Sequence, residues 1–350
     1  IAVDNTTGTV YAWGDDTCGG DNYGKCDTNL QNSAAVTVGS GPIYPRISDT
    51  TPENTTHLGD NSTSTPIAMP SVVPTSPFQV QSKRNTNCVM NSTRDNVTCW
   101  GRINYDNGYG TMNSSSIWNL SHSAGAFYDL VIHREGGCAL NADRTVSCWG
   151  YGQYGAYGDG TLGYTAGLKT PSITNVVDLA AGQDHLCTVV DNGTAWCWGR
   201  DQQDQLGDNA ANSNNRSSLP VAVVGGISNF IQIEAYSQTT CALTDNGTIW
   251  CWGANTNRQL GDGTTTDRDY PVQVQNITDA LDVYVGDGTA CAAVNKRLDL
   301  KCWGNYYLGD DSSTASSTPV TVTETNGWGS TYTFDDVAIG QASVCAYNLV

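Results

Sequence analysis

Cys241-Ala-Leu-Thr-Asp-Asn-Gly-Thr-Ile-Trp-Cys251-Trp252-Gly253 reads as one β-hairpin. Its centre, Asp245-Asn246-Gly247, supplies the residues that accept positive φ in a tight turn. Positions equidistant from the turn then face each other, so Cys241 and Cys251 come within disulfide reach. Upstream, Phe230-Ile-Gln-Ile-Glu-Ala alternates and reads as a preceding strand. Downstream, a polar loop ends in Gln259-Leu260-Gly261-Asp262-Gly263, and Pro271-Val-Gln-Val274 makes a fourth strand. Four short antiparallel strands per unit is the layout of a β-propeller blade.

The unit recurs. Cys-Trp-Gly is found at Cys99, Cys148, Cys197, Cys251 and Cys302, and Ala12-Trp13-Gly14 is a sixth copy without the cysteine. From Trp100 onward the tryptophans are 49, 49, 54 and 51 residues apart. Such a period specifies a repeat architecture. The tryptophan of each copy is expected to pack between neighbouring blades, and Trp196 and Trp250, two residues earlier on the same strand face, likewise.

Ten of the 13 cysteines fall into short-range pairs: Cys88/Cys99, Cys138/Cys148, Cys187/Cys197, Cys241/Cys251 and Cys291/Cys302. Cys18 and Cys26 are expected to form a local bridge, which leaves Cys345 unpaired. Zinc is disfavoured, because no Cys-x-x-Cys spacing occurs and the chain has only 4 histidines. Disulfides at this density indicate an extracellular or cell-surface protein. N-glycosylation sequons agree, at Asn5, Asn54, Asn61, Asn91, Asn96, Asn113, Asn119, Asn192, Asn215, Asn246 and Asn276; Asn192 and Asn246 fall at hairpin tips. The net charge of -18 makes nucleic acid a poor partner. No apolar run is long enough for a membrane span. Ile1 follows no signal peptide in this sequence, so the expectation is a processed chain or a segment of a longer one.

Taken together, Gly-x-x-His-x-Cys, Asn-Gly-Thr, Cys-Trp-Gly, Gln-Leu-Gly-Asp-Gly and Pro-Val-x-Val resemble the repeats of the regulator of chromosome condensation family. The match is best over Gly182 to Gly199 and Cys241 to Val274, and the propeller-type β-lactamase-inhibitor proteins share the superfamily. The resemblance implies an all-β fold: a single propeller over 1–350, most often of seven blades in that family, and a structural role for His185. Counting units in this sequence gives six blades, with seven as the alternative, and a loop insertion at about 15–57. Leu58-Gly59-Asp60 and Pro66-Ile-Ala-Met-Pro70 then match the end of the first unit. The C-terminal segment from Phe334 reads as the first half of a unit and the N-terminal segment to Gly14 as the second half, so the two ends are expected to close one blade. Cys345 would then face Ala12.

No catalytic set, cofactor site or metal site is apparent. His57, His122, His133 and His185 share no motif, and neither Gly-x-Ser-x-Gly nor His-Glu-x-x-His occurs. Asp60, Asp208, Asp262 and Asp310 recur in the Leu-Gly-Asp turns, but one carboxylate per blade cannot build a calcium cage. Asp15-Asp16, Asp310-Asp311 and Asp335-Asp336 are adjacent pairs that would face opposite sides of a strand. The family's exchange activity on chromatin does not suit an acidic, cystine-rich chain. The expectation is a non-enzymatic extracellular glycoprotein: a self-assembling subunit of a surface appendage or fibre, partnered by itself and polymerising through its chain ends. A propeller recognising an extracellular protein or glycan is the alternative, and a glycan-acting enzyme the remote one.

Overall fold

The computed structural model describes residues 2–4, 9–12, 34–37, 77–83, 86–101, 118–121, 125–210, 215–305, 308–310, 313–322, 336–339 and 344–347. Their strands form seven antiparallel sheets. Five have four strands each. They are β4 (Pro77–Lys83), β5 (Thr86–Asn91), β6 (Asn96–Gly101) and β7 (Trp118–Ser121); β8 (Phe127–His133), β9 (Gly136–Asn141), β10 (Val146–Tyr151) and β11 (Tyr164–Lys169); β12 (Val176–Ala181), β13 (His185–Val190), β14 (Ala195–Arg200) and β15 (Arg216–Ala222); β16 (Phe230–Tyr236), β17 (Thr239–Thr244), β18 (Ile249–Gly253) and β19 (Arg268–Gln273); and β20 (Asp282–Val285), β21 (Thr289–Val294), β22 (Asp299–Gly304) and β23 (Ser316–Thr321). The N-terminal sheet has β1 (Ala2–Asp4), β2 (Thr9–Ala12) and β3 (Ala34–Thr37), and the C-terminal sheet β24 (Asp336–Ile339) and β25 (Val344–Tyr347).

Among the described residues the strands of the two chain ends lie in separate sheets rather than in one shared sheet. Ala2 pairs with Tyr11 and Val3 with Val10, so the strand facing β2 is β1 and not β25. Cys345 lies opposite Ala338 in a different sheet, so it is not the counterpart of Ala12. Residues 34–37, inside the expected loop insertion, pair with β2 as a strand. Cys18, Cys26, Trp13, His57, His122 and Asp60 lie outside the described residues.

Second and third strands are joined by Cys88–Cys99, Cys138–Cys148, Cys187–Cys197, Cys241–Cys251 and Cys291–Cys302, each between residues directly opposite in register. Each bridge closes a loop of about ten residues, worth roughly 2–3 kcal/mol in the chain-entropy account.

Tryptophan joins one blade to the next. Trp149, Trp198, Trp252 and Trp303 are all completely buried. The indole Nε1 of Trp198 donates to Ala156 O (2.9 Å), that of Trp252 to Gln205 O (3.0 Å) and that of Trp303 to Gln259 O (2.8 Å), each in the loop of the preceding blade. Burial of a ring of on the order of 200 Å² is worth about 5 kcal/mol before strain and entropy. Glycine in two of the Leu-Gly-Asp turns allows this contact: a Cβ on Gly207 would lie 2.8 Å from Trp252 ring atoms, and one on Gly261 2.8 Å from Trp303 Nε1.

First strands of neighbouring blades are latched by one polar residue that follows a β-bulge. Gln79 Nε2 donates to Leu130 O (3.2 Å) and Asp129 Oδ1 (2.8 Å). Asp178 Oδ2 accepts from Ile233 N (2.7 Å), while Gln232 both donates to Val283 O (3.2 Å) and accepts from Val283 N (3.1 Å). The outermost strands β15, β19 and β23 carry Pro220, Pro271 and Pro319, which remove an edge N–H and discourage strand addition.

Gly207 and Gly226 separate the packing effect from the backbone effect, because both have positive φ (+67° and +69°) but nothing lies within 4 Å of a Cβ on Gly226. Gly226→Ala is expected to cost ~1 kcal/mol and Gly207→Ala about 3 kcal/mol or more. Denaturant melts of the two variants check this; equal losses would contradict the tryptophan contact.

Candidate functional site

An even number of antiparallel strands gives each blade two ends of different character. The hairpin between second and third strands is short, and it hydrogen-bonds to the start of the next blade's first strand, as in Val176 N to Arg144 O (3.0 Å) and Phe230 N to Gly193 O (3.0 Å). The opposite face carries the turns between first and second strands together with the loop residues 152–163, 201–210 and 254–267 that follow Trp149-Gly150, Trp198-Gly199 and Trp252-Gly253. The scaffold repeats, but those loops differ in sequence, which is the arrangement of a recognition face on a rigid support.

Asp184 is buried in this face (2% exposed). It pairs with Arg200 (Nη1–Oδ2, 3.2 Å) and more distantly with Arg134 (Nε–Oδ1, 3.7 Å). The Arg200 guanidinium lies 5.0 Å from the Tyr154 ring centroid, and Tyr154 meets Tyr151 edge-on at 6.3 Å. Burial, and then the neighbouring Tyr154, Asp184 and Glu135, push the Tyr151 hydroxyl above its ordinary pKa. Tyr151 therefore stays a neutral phenol and donates to Gln153 Oε1 (2.8 Å). Two tyrosines beside a paired arginine form a group suited to binding contacts.

The next loop is tied to the start of β19 by Asn209 N to Asp269 O (2.8 Å). There Asp204 stands near Asp208, Asp267 and Asp269. Its pKa is raised, first by burial and then by Asp269, Asp267 and Asp208. Nearby arginine charge is already engaged: Arg268 donates through Nε (2.9 Å) and Nη2 (2.7 Å) to Asp262 Oδ2.

The recurring Leu-Gly-Asp carboxylates serve their own turns. Asp262 Oδ1 accepts from Thr264 N (2.9 Å), Thr264 Oγ1 (2.6 Å) and Asn255 Nδ2 (3.3 Å). Asp208 Oδ1 accepts from Ala210 N (3.1 Å). Asp159, where Tyr157 replaces the leucine of the motif, repeats the pattern with Thr161 and pairs with Lys169 at 3.3 Å. Among the described residues no group of three or more His, Cys, Asp or Glu side chains is placed to hold a metal ion.

His185 is buried, and its Nε2 lies 2.9 Å from Thr240 Oγ1 of the next blade, a latch rather than a reactive imidazole. His133 is buried as well. Trp196 and Trp250 are half-buried against the inter-blade cores, their Nε1 groups donating to Thr194 (3.3 Å) and Thr248 (3.2 Å). Among the sequons, Asn192, Asn215, Asn246 and Asn276 are exposed. Asn91 uses its amide nitrogen on Thr93 and Asp95, Asn96 accepts from Thr98, and Asn119 is in β7. Asn5, Asn54, Asn61 and Asn113 lie outside the described residues. The tyrosine–arginine group and the Asp204 group had no motif to mark them; their signal was charge and aromatic content in loops that vary between repeats.

Burial opposes ionisation of Asp262, yet hydrogen bonds from Thr264 and Arg268 more than offset it, so its pKa is held below the ordinary value. Its stabilisation is therefore present above the unfolded-state pKa of about 3.9 and is lost as pH falls through the folded-state value. Asp262→Asn is expected to cost ~1 kcal/mol at neutral pH and to flatten the acid limb of the stability curve below about pH 5. Chemical melts across pH read both effects; an unchanged acid limb would contradict the assignment.

Comparison with known proteins agrees with this geometry. The family model described as "Regulator of chromosome condensation (RCC1) repeat" matches residues 176–205 and 230–259, and a second model of that description matches 246–293. The chain is 31% identical over 204 residues to the Ultraviolet-B receptor UVR8 of Arabidopsis thaliana, covering 54% of this chain and 44% of the receptor. It is 29% identical over 177 residues to the E3 ubiquitin-protein ligase HERC2 of Mus musculus, covering 48% of this chain and 4% of the ligase. The matches thus span less than half the length of these relatives. Human WBSCR16 superposes with a TM-score of 0.68 at 19% identity, covering 82% of this chain and 76% of that one. Prp20p from Saccharomyces cerevisiae gives 0.67 at 16% identity, covering 79% and 69%. This chain carries RCC1-type repeats and folds as an RCC1-like β-propeller.

Proposed function

We propose that this chain is a non-enzymatic recognition propeller that binds a basic protein surface through its long-loop face, in an oxidising extracellular setting. The observation that carries the reading is the division of labour in the repeat. The ten bridged cysteines, Trp198, Trp252, Trp303, His185, Asp208 and Asp262 are used in structural bonds, whereas the long loops carry side chains that differ from blade to blade. In those loops carboxylates gather around Asp204, and the adjacent Arg200 and Arg268 are paired with Asp184 and Asp262. A cationic partner would relieve that crowding, and an overall charge of -18 adds long-range attraction. The five disulfides support the oxidising setting. Prp20p binds Gsp1p and histones, so protein recognition has a precedent on this fold.

The fibre reading drew on the disulfides, the sequons, the lack of a catalytic set and a blade made from the two chain ends, and the last of these is the part the described strands do not support. Among the described residues those ends lie in separate sheets, and prolines occupy outer strands that could otherwise add a neighbour's strand.

Displayed peptide libraries selected on the intact chain are expected to enrich Lys- and Arg-rich sequences. Their binding should fall about tenfold or more in Asp204→Asn/Asp267→Asn/Asp269→Asn and weaken with salt. Because the Asp204 pKa is raised, its ionised form opposes folding at neutral pH, and Asp204→Asn alone should melt higher while binding less. Selection of sequences without basic enrichment, or undiminished binding by the triple variant, would refute the proposal.

A further inference from the structure

Asn192 and Asn246 occupy the same position in two successive hairpins, and an aspartate occupies it in the hairpin before them. Asn192 Oδ1 accepts from Thr194 N (3.0 Å) and Thr194 Oγ1 (2.7 Å). Asn246 Oδ1 accepts from Thr248 N (3.2 Å), Thr248 Oγ1 (2.9 Å) and Thr244 Oγ1 (2.7 Å). Asp143 Oδ1 makes the same pair of bonds with Thr145 N (3.1 Å) and Thr145 Oγ1 (2.6 Å). The turn therefore uses one side-chain oxygen, which aspartate supplies as well as asparagine. The amide nitrogens of Asn192 and Asn246 are surplus to it. Both residues are exposed, and neither Nδ2 has a hydrogen-bond partner among the described residues.

Other sequons are built differently. Asn91 Nδ2 donates to both Thr93 Oγ1 (2.9 Å) and Asp95 Oδ1 (2.6 Å), so a substituent on that nitrogen would remove one of two N–H groups in use. Asn96 begins β6, and the other two residues of its sequon, Val97 and Thr98, are buried. At Asn192 and Asn246 the next residue is a glycine of positive φ (+76° at Gly193, +81° at Gly247), so no side chain follows to crowd the amide. Glycine there also invites a competing reaction, in which its nitrogen attacks the asparagine carbonyl and the amide is lost. Gly193 N instead donates to Val190 O (2.8 Å) and Gly247 N to Thr244 O (3.0 Å), which holds both nitrogens in the turn. Asn215 and Asn276 are exposed as well, without a repeated turn to compare them with.

We propose that Asn192 and Asn246 are N-glycan attachment sites, a reading that rests on the extracellular setting proposed above. In the transfer, Nδ2 bonds to the anomeric carbon of an oligosaccharide ending in N-acetylglucosamine, one amide proton passes to solvent, and the lipid diphosphate that carried the sugar leaves. Oδ1 takes no part, so the turn keeps its bonds. Phe230 N donates to Gly193 O (3.0 Å) and Ala280 N to Gly247 O (3.1 Å), which sets each tip beside the start of the next blade's first strand. There Ile231 and Leu281 are 54% and 49% exposed. Apolar side chains exposed at a recurring position favour self-association, and a bulky hydrophilic glycan on the adjoining tip limits access to them. The long-loop face lies at the other end of the blades and stays open.

The test is peptide mapping of the intact chain, directed through a eukaryotic secretory pathway and collected folded. Enzymatic release of N-glycans in heavy-oxygen water converts each occupied asparagine to a labelled aspartate. Label is expected at Asn192 and Asn246 and not at Asn91 or Asn96. The released chain, with aspartate at both tips as Asp143 already is, should still unfold cooperatively. It should also give more fluorescence with an apolar dye than the glycosylated chain, an increase that Ile231→Ser/Leu281→Ser removes. Unlabelled Asn192 and Asn246 overturn the proposal, as does equal labelling of Asn91. Dye fluorescence unchanged by glycan release overturns the screening role. The same digest, left unreduced, reads the disulfides. Bridges formed without glycans at these tips sink this proposal alone, whereas bridges that fail to form sink the oxidising setting.

Discussion

The contact between a tryptophan and a glycine of the preceding blade sets the geometry on which the other features depend. Trp252 is fully buried, donates to Gln205 O at 3.0 Å, and lies where a Cβ on Gly207 would be 2.8 Å away. Trp198 and Trp303 repeat the arrangement with Ala156/Gly158 and Gln259/Gly261. The hydrogen bond fixes direction and the missing side chain fixes distance, so neighbouring blades meet in one way. With blades fixed, the long loops are collected on one face and the first-strand bulges on the other. The disulfides act on the same element, tying the strand that bears the tryptophan to its hairpin partner.

Polar side chains divide between the two tasks. Within and between blades they are bonded to specific neighbours: His185 to Thr240, Asp178 to Ile233 N, Gln232 to Val283, Asp262 to Thr264 and Arg268. Such residues are frequent in a reactive site, but here their geometry is that of latches and turn caps. The Asp204 group is different. Burial, and then Asp269, Asp267 and Asp208, raise the pKa of its central carboxylate, an unfavourable local arrangement that a cationic ligand would ease.

Much of the repeat was legible in the sequence because its signals are local. Asp-Asn-Gly centred a hairpin, the flanking cysteines faced each other, and the tryptophan recurred at a fixed step. Long-range features were less legible. Alternation in Phe230-Ile-Gln-Ile-Glu-Ala suggests that Ile231 and Ile233 share a face, yet a bulge breaks the phase, so Ile233 is buried and Ile231 exposed. The N-terminal hairpin was missed because β1 is three residues long and carries no cysteine. Asp159 escaped the Leu-Gly-Asp pattern because Tyr157 fills the leucine position. The Asp184–Arg200–Tyr154 group combines residues from two blades, a proximity that no local spacing encodes.

Hydrogen–deuterium exchange of the intact chain, with and without a selected Lys/Arg-rich peptide, tests the central claim most directly. Recognition by the long-loop face predicts slow exchange in the disulfide-tied strands under both conditions and new protection confined to 201–210 and 254–269. Protection appearing instead at the hairpin tips around Asn192 and Asn246, or nowhere, would contradict it.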